Sequence, residues 1–221
     1  MKILLATAAL DDIRWAVEHG LVDGIFTTPG ILDAEVGHET DLHERLGEIA
    51  RISALPLYAS VSSVDPDDMY ADARELARVA DHIVVQVPFV EDALGTMRRL
   101  RAEGIRLCAS LVFTPAQALL AANAGASAIA VTLDALDEVG LDGADVIGEM
   151  RAVINAHSSD CDIIGLLPGN AARFASCALA GADTVAVTPT VLRALLAHPL
   201  TDRGLDLFLI TLSKRHRVRP A

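Results

Sequence analysis

The stretch HIVVQVPFVEDAL, residues 82 to 94, predicts a buried strand that leads into a helix. All but one of the residues from 83 to 87 are β-branched, which favours a strand, and Pro88 ends the apolar run. The exception is Gln86, an uncharged polar residue near the end of the strand. A buried amide needs a hydrogen-bond partner or a ligand, so the surroundings of Gln86 are the first question about function.

The alternation of a short strand and a longer helical segment continues along the chain in both directions. Each β-branched run is followed by a stretch rich in Ala, Leu, Arg and Glu with helical spacing. The predicted strands are residues 3–7, 24–28, 56–60, 82–87, 105–112, 128–132, 162–167 and 184–188. The residues predicted to begin or end helices are Asp65 with Pro66, Thr114 with Pro115, Gly125 and Gly181.

Eight strand and helix pairs, with strands that are apolar on both faces, predict a parallel sheet closed into a (β/α)8 TIM barrel. The barrel takes up residues 1–200 as a single domain. The alternative is a doubly wound open sheet, which usually has a Gly-rich phosphate loop after its first strand. The segment ATAALDD, residues 6–12, contains no glycine, and this favours the barrel.

Residues 201–221 are predicted to form an additional C-terminal helix with a basic tail. The part from 205 to 212 is apolar around much of the helix circumference, so another surface is expected to cover it. Its periodicity is compatible with two covers, the barrel of the same chain or a neighbouring subunit.

The composition argues against several classes of partner. The chain has 221 residues and a formal net charge of −12, so its field repels both nucleic acid phosphates and an anionic membrane surface. We therefore expect neither nucleic acid nor a membrane as a partner. The 3 cysteines cannot all pair within one chain, and the sequence shows neither a signal peptide nor a membrane span. These features predict a cytoplasmic protein.

In a parallel barrel, ligands bind where the strands end, so the polar residues at those ends are the candidates for a site. All but one are neutral. No histidine lies at the C-terminal end of a strand to activate a serine or a cysteine, since His82 begins its strand at the opposite end of the barrel, and this argues against a nucleophilic triad. The candidates are Thr7, Thr27, Thr28, Ser60, Gln86, Ser110, Thr132, Asp134, Asn170 and Thr188.

Metal and phosphate sites are poorly supported. The segment GHETDLHER, residues 37–45, contains several metal-binding residue types, but its two histidines are not spaced i, i+4, and we interpret it as a solvated helix face. The stretch LLPGNAAR, residues 166–173, supplies Gly169 and a helix start at Asn170, but no cation before Arg173. No metal or cofactor is predicted.

Four stretches resemble one known family. They are GIFTTPGIL (24–32), VVQVPFVEDALGTMRRLRAEGI (84–105), FTPAQALLAANAGASAIA (113–130) and CALAGADTVAVTPTVLRALLAHP (177–199). Their order and spacing are similar to those of the short transaldolases and fructose-6-phosphate aldolases, over nearly the whole chain. The resemblance implies a TIM barrel that acts on small carbonyl compounds through a lysine Schiff base. It also implies a homo-oligomer, since members form rings and paired rings through the terminal helix.

The residues that carry the family's chemistry differ in this chain. The positions of its Schiff-base lysine, first-strand acid, asparagine before proline, strand-six arginine and polar strand-seven residue fall on Gln86, Ala6, Thr28, Ala135 and Leu167. The chain has two lysines, Lys2 and Lys214, and neither is placed to reach the C-terminal ends of the strands. A glutamine amide cannot form an imine, because its nitrogen lone pair is delocalised. The resemblance therefore implies the fold and the position of a site, without the lysine-dependent reaction.

Three hypotheses remain for the function of the protein and the role of Gln86 in it. The first is an aldolase- or transaldolase-type enzyme with a lysine-independent mechanism, in which Asp134 is the acid or base and a small, unphosphorylated carbonyl compound or polyol is bound by strand-end hydroxyls and amides. The residues proposed to contact the ligand are Thr7, Thr27, Thr28, Ser60, Gln86, Ser110, Thr132 and Asn170. The second is a catalytically silent homologue that acts in binding or assembly. The third is a core residue, hydrogen-bonded to Ser60 or Ser110, with function elsewhere.

Overall fold

The computed structural model describes residues 1–36, 41–157 and 159–217, and side chains up to residue 213. The strands are β1 (Lys2–Ala6), β2 (Gly24–Phe26), β3 (Leu57–Ser60), β4 (Ile83–Pro88), β5 (Leu107–Ser110), β6 (Ala128–Thr132), β7 (Asp162–Leu166) and β8 (Thr184–Val187). The helices are α1 (Leu10–Glu18), α2 (Pro29–Val36), α3 (Leu42–Ile52), α4 (Pro66–Val79), α5 (Ala93–Ala102), α6 (Pro115–Ala124), α7 (Leu133–Glu138), α8 (Gly143–Ala156), α9 (Ala171–Ala180), α10 (Pro189–Leu196) and α11 (Pro199–Arg217).

The strands form one closed barrel in sequence order, with every neighbouring pair parallel and β1 paired to β8. This confirms the predicted (β/α)8 TIM barrel with an extra C-terminal helix. Closure leaves no strand edge exposed. The helices outside and the packed side chains inside cover the two apolar faces of the strands.

The predicted helix ends are confirmed. The side chain of Asp65 accepts hydrogen bonds from the backbone N–H groups of Asp67 and Asp68 at the start of α4. Thr114 accepts one from Gln117 at the start of α6. At the end of α6, Gly125 has a φ of 110°, a conformation that favours glycine, and a Cβ there would lie 2.5 Å from the Arg101 side chain.

The core has two layers, one on each side of the sheet. Residues at odd positions of the strands, such as Val85 and Val87, pack with the helices in the outer layer. Residues at even positions fill the barrel interior, where Phe26 and Tyr58 stack with ring centroids 5.4 Å apart. The rest of the interior layer consists of Leu4, Ala6, Val84, Cys108, Ala128, Ala130, Ile164, Leu166 and Ala186. This alternation determines which strand-end residues face a ligand.

Helix α11 leaves its apolar side chains uncovered. Leu205, Leu207, Phe208, Leu209 and Ile210 are each more than half exposed, from 51% to 58%. The barrel of the same chain therefore does not cover them. A neighbouring subunit, the other cover compatible with the periodicity, stays a prediction.

Candidate functional site

The candidate site is the end of the barrel interior where the strands finish, which we call the mouth. In the strand register, Ser60 on β3 pairs with Gln86 on β4, and Gln86 pairs with Cys108 on β5. Cys108 belongs to the interior layer, and residues paired across parallel strands point to the same side of the sheet. Gln86 and Ser60 therefore face the interior, and Ser110 and Thr132 do so by the same alternation.

Gln86 is buried, with 1% of its surface exposed. Its Nε2 donates a hydrogen bond of 2.7 Å to the backbone carbonyl of Thr27, in the segment that follows β2. The prediction that its partner would be Ser60 or Ser110 is therefore wrong. The reason is geometric, because the long glutamine side chain reaches across β3 to a carbonyl that the sheet leaves available. This bond directs the amide nitrogen to Thr27 and leaves Oε1 as the polar atom for a ligand.

Three hydroxyls at the mouth have no partner within the described residues. Ser60 and Ser110 make no hydrogen bond through their side chains in that part of the chain, and Thr132 begins α7 without a side-chain capping bond. All three are half-buried. A polar group held in a partly buried position without a protein partner is available to a ligand.

Thr7 and Thr27 are placed differently. Each follows an interior residue by one position, so each points away from the interior, and both are 0% exposed. The hydroxyl of Thr7 donates to Glu35 at 2.7 Å, and that of Thr27 donates to the carbonyl of Tyr58 at 2.8 Å. These two threonines thus hold the strand ends in place. Thr28 is also engaged, since its hydroxyl accepts from the N–H of Ile31 in the first turn of α2.

Glu35 supports the strand ends at the mouth, and the sequence did not predict this role. Its Oε2 accepts hydrogen bonds from the hydroxyl of Thr7 at 2.7 Å and from the N–H groups of Ala8 and Ala9 at 2.6 and 3.0 Å. It thereby ties α2 to the loop after β1. No local motif predicts this contact, because the partners are 26 to 28 residues apart and meet only when the barrel closes.

Asp134 and Asn170 also have partners. Arg173 in the first turn of α9 donates to Asp134 at 2.8 Å and forms a second ion pair with Asp137. The Asn170 side chain caps α9 by accepting from the N–H of Arg173 at 3.0 Å. Thr188 likewise caps α10 through Val191. The ion pairs join the segments after β6 and β7. They also neutralise Arg173, the cation of the stretch 166–173 that was considered for phosphate binding.

The buried thiols are poor nucleophiles. All 3 cysteines are unpaired and buried. Burial raises the pKa of the Cys108 thiol far above its usual range and raises that of Cys161 to about 12. Burial also raises the pKa of Tyr58, which lies in the interior beside Cys108. These groups stay protonated at neutral pH, and this disfavours a thiolate mechanism inside the barrel.

The described residues contain neither a metal-binding cluster nor a membrane-spanning helix. Outside the gaps at 37–40, 158 and 218–221, no group of three or more His, Cys, Asp and Glu side chains could hold a metal ion. His38 and Glu39 of the histidine-containing segment lie outside the described residues. In the same part of the chain, no helix is both long and apolar enough to cross a bilayer.

Eight parallel strands closed in sequence order define the class of (β/α)8 barrel proteins, and comparisons with known proteins give the family. The model of the Transaldolase/Fructose-6-phosphate aldolase family matches residues 3–217. The chain is 38% identical over 215 residues to a probable transaldolase of Desulforapulum autotrophicum, covering 97% of this chain and 99% of that protein. The chain therefore belongs to the transaldolase/fructose-6-phosphate aldolase family.

Other similarities agree with this assignment. A probable transaldolase of Thermoplasma volcanium is 35% identical, covering 95% of this chain and 94% of that protein. Among solved structures, a cube-shaped, highly porous protein cage designed by fusing symmetric oligomeric domains matches with a TM-score of 0.63 and 13% identity, covering 97% of this chain and 78% of the cage chain. At that identity, the structural match supports the fold alone.

Proposed function

We propose that this protein is a transaldolase-like barrel that binds a small carbonyl compound or polyol at the mouth without a lysine Schiff base. The observation that carries the proposal is the buried amide of Gln86, oriented by Thr27 and flanked by hydroxyls that have no partner within the described residues. Ser60, Ser110 and Thr132 supply those hydroxyls. Neutral donors and acceptors in a concave, half-buried position suit the carbonyl and hydroxyl groups of a small uncharged ligand.

An aldol reaction at this site would have to proceed without an imine. A base removes the proton from the carbon next to the ligand carbonyl, the resulting enolate carbon attacks an aldehyde, and the new alkoxide takes up a proton. Asp134 is the acid or base proposed for these proton transfers, and its ion pair with Arg173 must open for it to act. The neutral groups at the mouth would stabilise the enolate oxygen by hydrogen bonding.

The test is borohydride trapping with dihydroxyacetone, read by intact mass, on the unaltered protein, Gln86→Lys and Asn123→Lys. Asn123 is exposed on α6, so its variant controls for the addition of any lysine. We expect no adduct on the unaltered protein or the control, and one adduct on Gln86→Lys. A covalent adduct on the unaltered protein would overturn the lysine-independent route. Failure of Gln86→Lys to react, with its fold intact, would argue against a carbonyl pocket at the mouth.

A second function, binding or assembly without catalysis, is favoured by α11. Its exposed apolar side chains, including Phe208 at 58% exposure, suit a homo-oligomeric ring or pair of rings. Light scattering at micromolar concentration is expected to give a multiple of 23.3 kDa, and Phe208→Ser is expected to reduce it. A monomeric unaltered protein would contradict the oligomer. Turnover with any small carbonyl compound would contradict the catalytically silent version.

We also propose a cytoplasmic location, supported by the unpaired state of all 3 cysteines, which fits a reducing compartment. Fractionation of the source cells, with detection of this chain in the soluble or the secreted fraction, tests it. Recovery from the secreted fraction would contradict it.

A further inference from the structure

Helix α2 lies beside the mouth and is held there by few buried contacts. It begins directly after Thr28, which follows β2. Among the described residues of this helix, Leu32 is the one that is buried. Ile31 is half-buried and packs against both the interior layer of the barrel and the outer layer. Ile31 therefore covers part of the interior at the mouth, and a movement of α2 would uncover it.

A single carboxylate fixes the other end of α2. Glu35, in the last turn of the helix, accepts through Oε2 from the hydroxyl of Thr7 at 2.7 Å. The same oxygen accepts from the N–H groups of Ala8 and Ala9 at 2.6 and 3.0 Å. Hydrogen bonds to an ionised acceptor are stronger than those to a neutral one. One side chain thus joins α2 to the segment between β1 and α1.

The start of α1 depends on this acceptor from another helix. Ala9 is the N-cap residue of α1 and makes no side-chain capping bond. In a capping box, the third residue of the helix accepts the N–H of the N-cap residue, but here that residue is Asp12, which binds Arg193 at 3.0 Å. Glu35 accepts the N–H of Ala9 instead, and the dipole of α1 favours its negative charge there. The position of α2 and the start of α1 are therefore stabilised together.

The two ends of α2 are held in different ways. Thr27, just before the helix, accepts from Gln86 at 2.7 Å through its carbonyl. Its N–H and its hydroxyl both donate to the carbonyl of Tyr58, at 3.0 and 2.8 Å. Thr27 is fully buried, whereas Glu35 is exposed, so water can replace the bonds of Glu35 more readily. Helix α2 is firmly tied at its start and reversibly tied at its end, as in a hinged cover.

We propose that Glu35 is a positioning residue of the mouth, which holds α2 closed and thereby controls access to the site. While its bonds are formed, Ile31 stays packed on the interior layer and retains a bound ligand. When they break, α2 moves about Thr28 and uncovers the interior. Glu35 acts through α2 and does not contact the ligand. This inference rests on the proposed function for the ligand, and it adds the regulation of the same mouth.

Hydrogen exchange, read by mass spectrometry, tests the role of Glu35 without a ligand. In Glu35→Ala, the amides of α2 should exchange about tenfold faster, because three hydrogen bonds to a charged group are lost, while the amides of α4 keep their rates. Glu35→Gln retains an oxygen acceptor and should restore slow exchange. Thr7→Val removes one of the three donors and should give an intermediate rate. Equal acceleration in every helix of Glu35→Ala would show a loss of global stability and overturn the positioning role.

Calorimetric titration with dihydroxyacetone tests the connection to the site. The dissociation constant should rise about threefold in Glu35→Ala, because the closed state is then less populated, and it should recover in Glu35→Gln. Glu75→Ala is the matched control, because Glu75 is exposed on α4 and makes no hydrogen bond or ion pair within the described residues. In the unaltered protein, dihydroxyacetone should slow the exchange of the α2 amides. A purely structural contact would produce neither effect on binding.

The outcomes distinguish this inference from the proposed function. Faster exchange of α2 in Glu35→Ala with an unchanged dissociation constant overturns the control of access and leaves Glu35 a structural residue. Unchanged exchange in that variant overturns its role in holding α2. If neither the unaltered protein nor any variant binds dihydroxyacetone at millimolar concentration, the proposed function fails and the control of a ligand fails with it. The exchange rates then still decide whether Glu35 holds α2.

Discussion

The two ends of the barrel use polar residues for different purposes. At the end where the strands begin, charged side chains bind the backbone or each other. Asp23 accepts from the N–H of Ile3 at 2.8 Å, and Asp183 accepts from the N–H of Ile163 at 2.6 Å. At the mouth, the interior-facing polar residues are neutral, and several hydroxyls have no partner within the described part of the chain. Charged groups stabilise both ends, since Glu35 and Arg173 make such contacts around the mouth as well, and the difference is that only the mouth has neutral hydroxyls left without a protein partner in the described residues.

The largest expected effect is a loss of stability on replacing Asp183, at the end of the barrel where the strands begin. Asp183 forms an ion pair with Arg151 and accepts the N–H of Ile163, so Asp183→Ala removes both contacts. We expect the free energy of unfolding to fall by about 2–3 kcal/mol, since the half-buried arginine and the N–H lose their acceptor. Urea denaturation measures this loss. Asp183→Asn, which retains an acceptor, should lose less, and a weaker ligand affinity in either folded variant would contradict the division between the two ends.

Gln86 bonds to the backbone and is also proposed to bind the ligand, so its replacement tests both stability and ligand affinity. Gln86→Leu removes the donor to the backbone carbonyl of Thr27 and removes the amide beside Ser60 at the mouth. We expect a loss of about 1–2 kcal/mol in stability and roughly a tenfold loss of affinity for a small hydroxyketone. Denaturation and calorimetric titration measure the two effects. Unchanged affinity, with the fold intact, would show that Gln86 is a core residue with no role in ligand binding.

Ser110→Ala changes the mouth alone. Its hydroxyl has no partner within the described residues, so its removal should alter the free energy of unfolding by no more than about 0.5 kcal/mol. Ligand affinity should fall about three- to fivefold, which corresponds to the loss of one neutral hydrogen bond worth roughly 0.7–1 kcal/mol. Thr27→Ala is the contrasting variant, because its hydroxyl is bonded to Tyr58 and faces away from the interior. That variant should mainly lose stability. If Ser110→Ala mainly lost stability and Thr27→Ala mainly lost ligand affinity, the roles assigned to the two hydroxyls would be wrong.

The smallest effect concerns pH and the buried thiols. The pKa of Cys161 is raised to about 12 by burial, whereas the unfolded thiol has its ordinary value near 9. Above pH 9 the unfolded chain releases this proton and the folded chain keeps it, so stability decreases as pH rises. By pH 9 the loss should be about 0.4 kcal/mol for this thiol, and larger at higher pH. Thermal denaturation of Cys161→Ala, compared with the unaltered protein, should show a weaker decrease above pH 8.

Local signals predicted much of the fold. The strand and helix alternation, the capping residues Asp65 and Thr114 and the C-cap glycine Gly125 all depend on neighbours within a few residues, and all are confirmed. The sequence predicts the exact ends of the strands less accurately. Residues 105–112 were predicted as one strand, but β5 ends at Ser110, because Leu111 adopts a positive φ that no strand allows.

The candidate site was only partly accessible to sequence reasoning. The sequence placed Gln86 at a strand end, and its position in the barrel interior follows from parallel register. The partners of the polar residues were not accessible. Glu35 reaches Thr7 from another element, and Arg173 reaches Asp134 across 39 positions of sequence, so neither contact has a local pattern.

The sequence by itself determined the barrel and the absence of a lysine from β4, since these depend on residue identity and short-range periodicity. Only the tertiary structure decided which strand-end hydroxyls are bound to protein and which have no protein partner in the described residues. The physical reason is that hydrogen bonds such as that of Gln86 to Thr27, 59 residues apart in sequence, form only after the barrel closes.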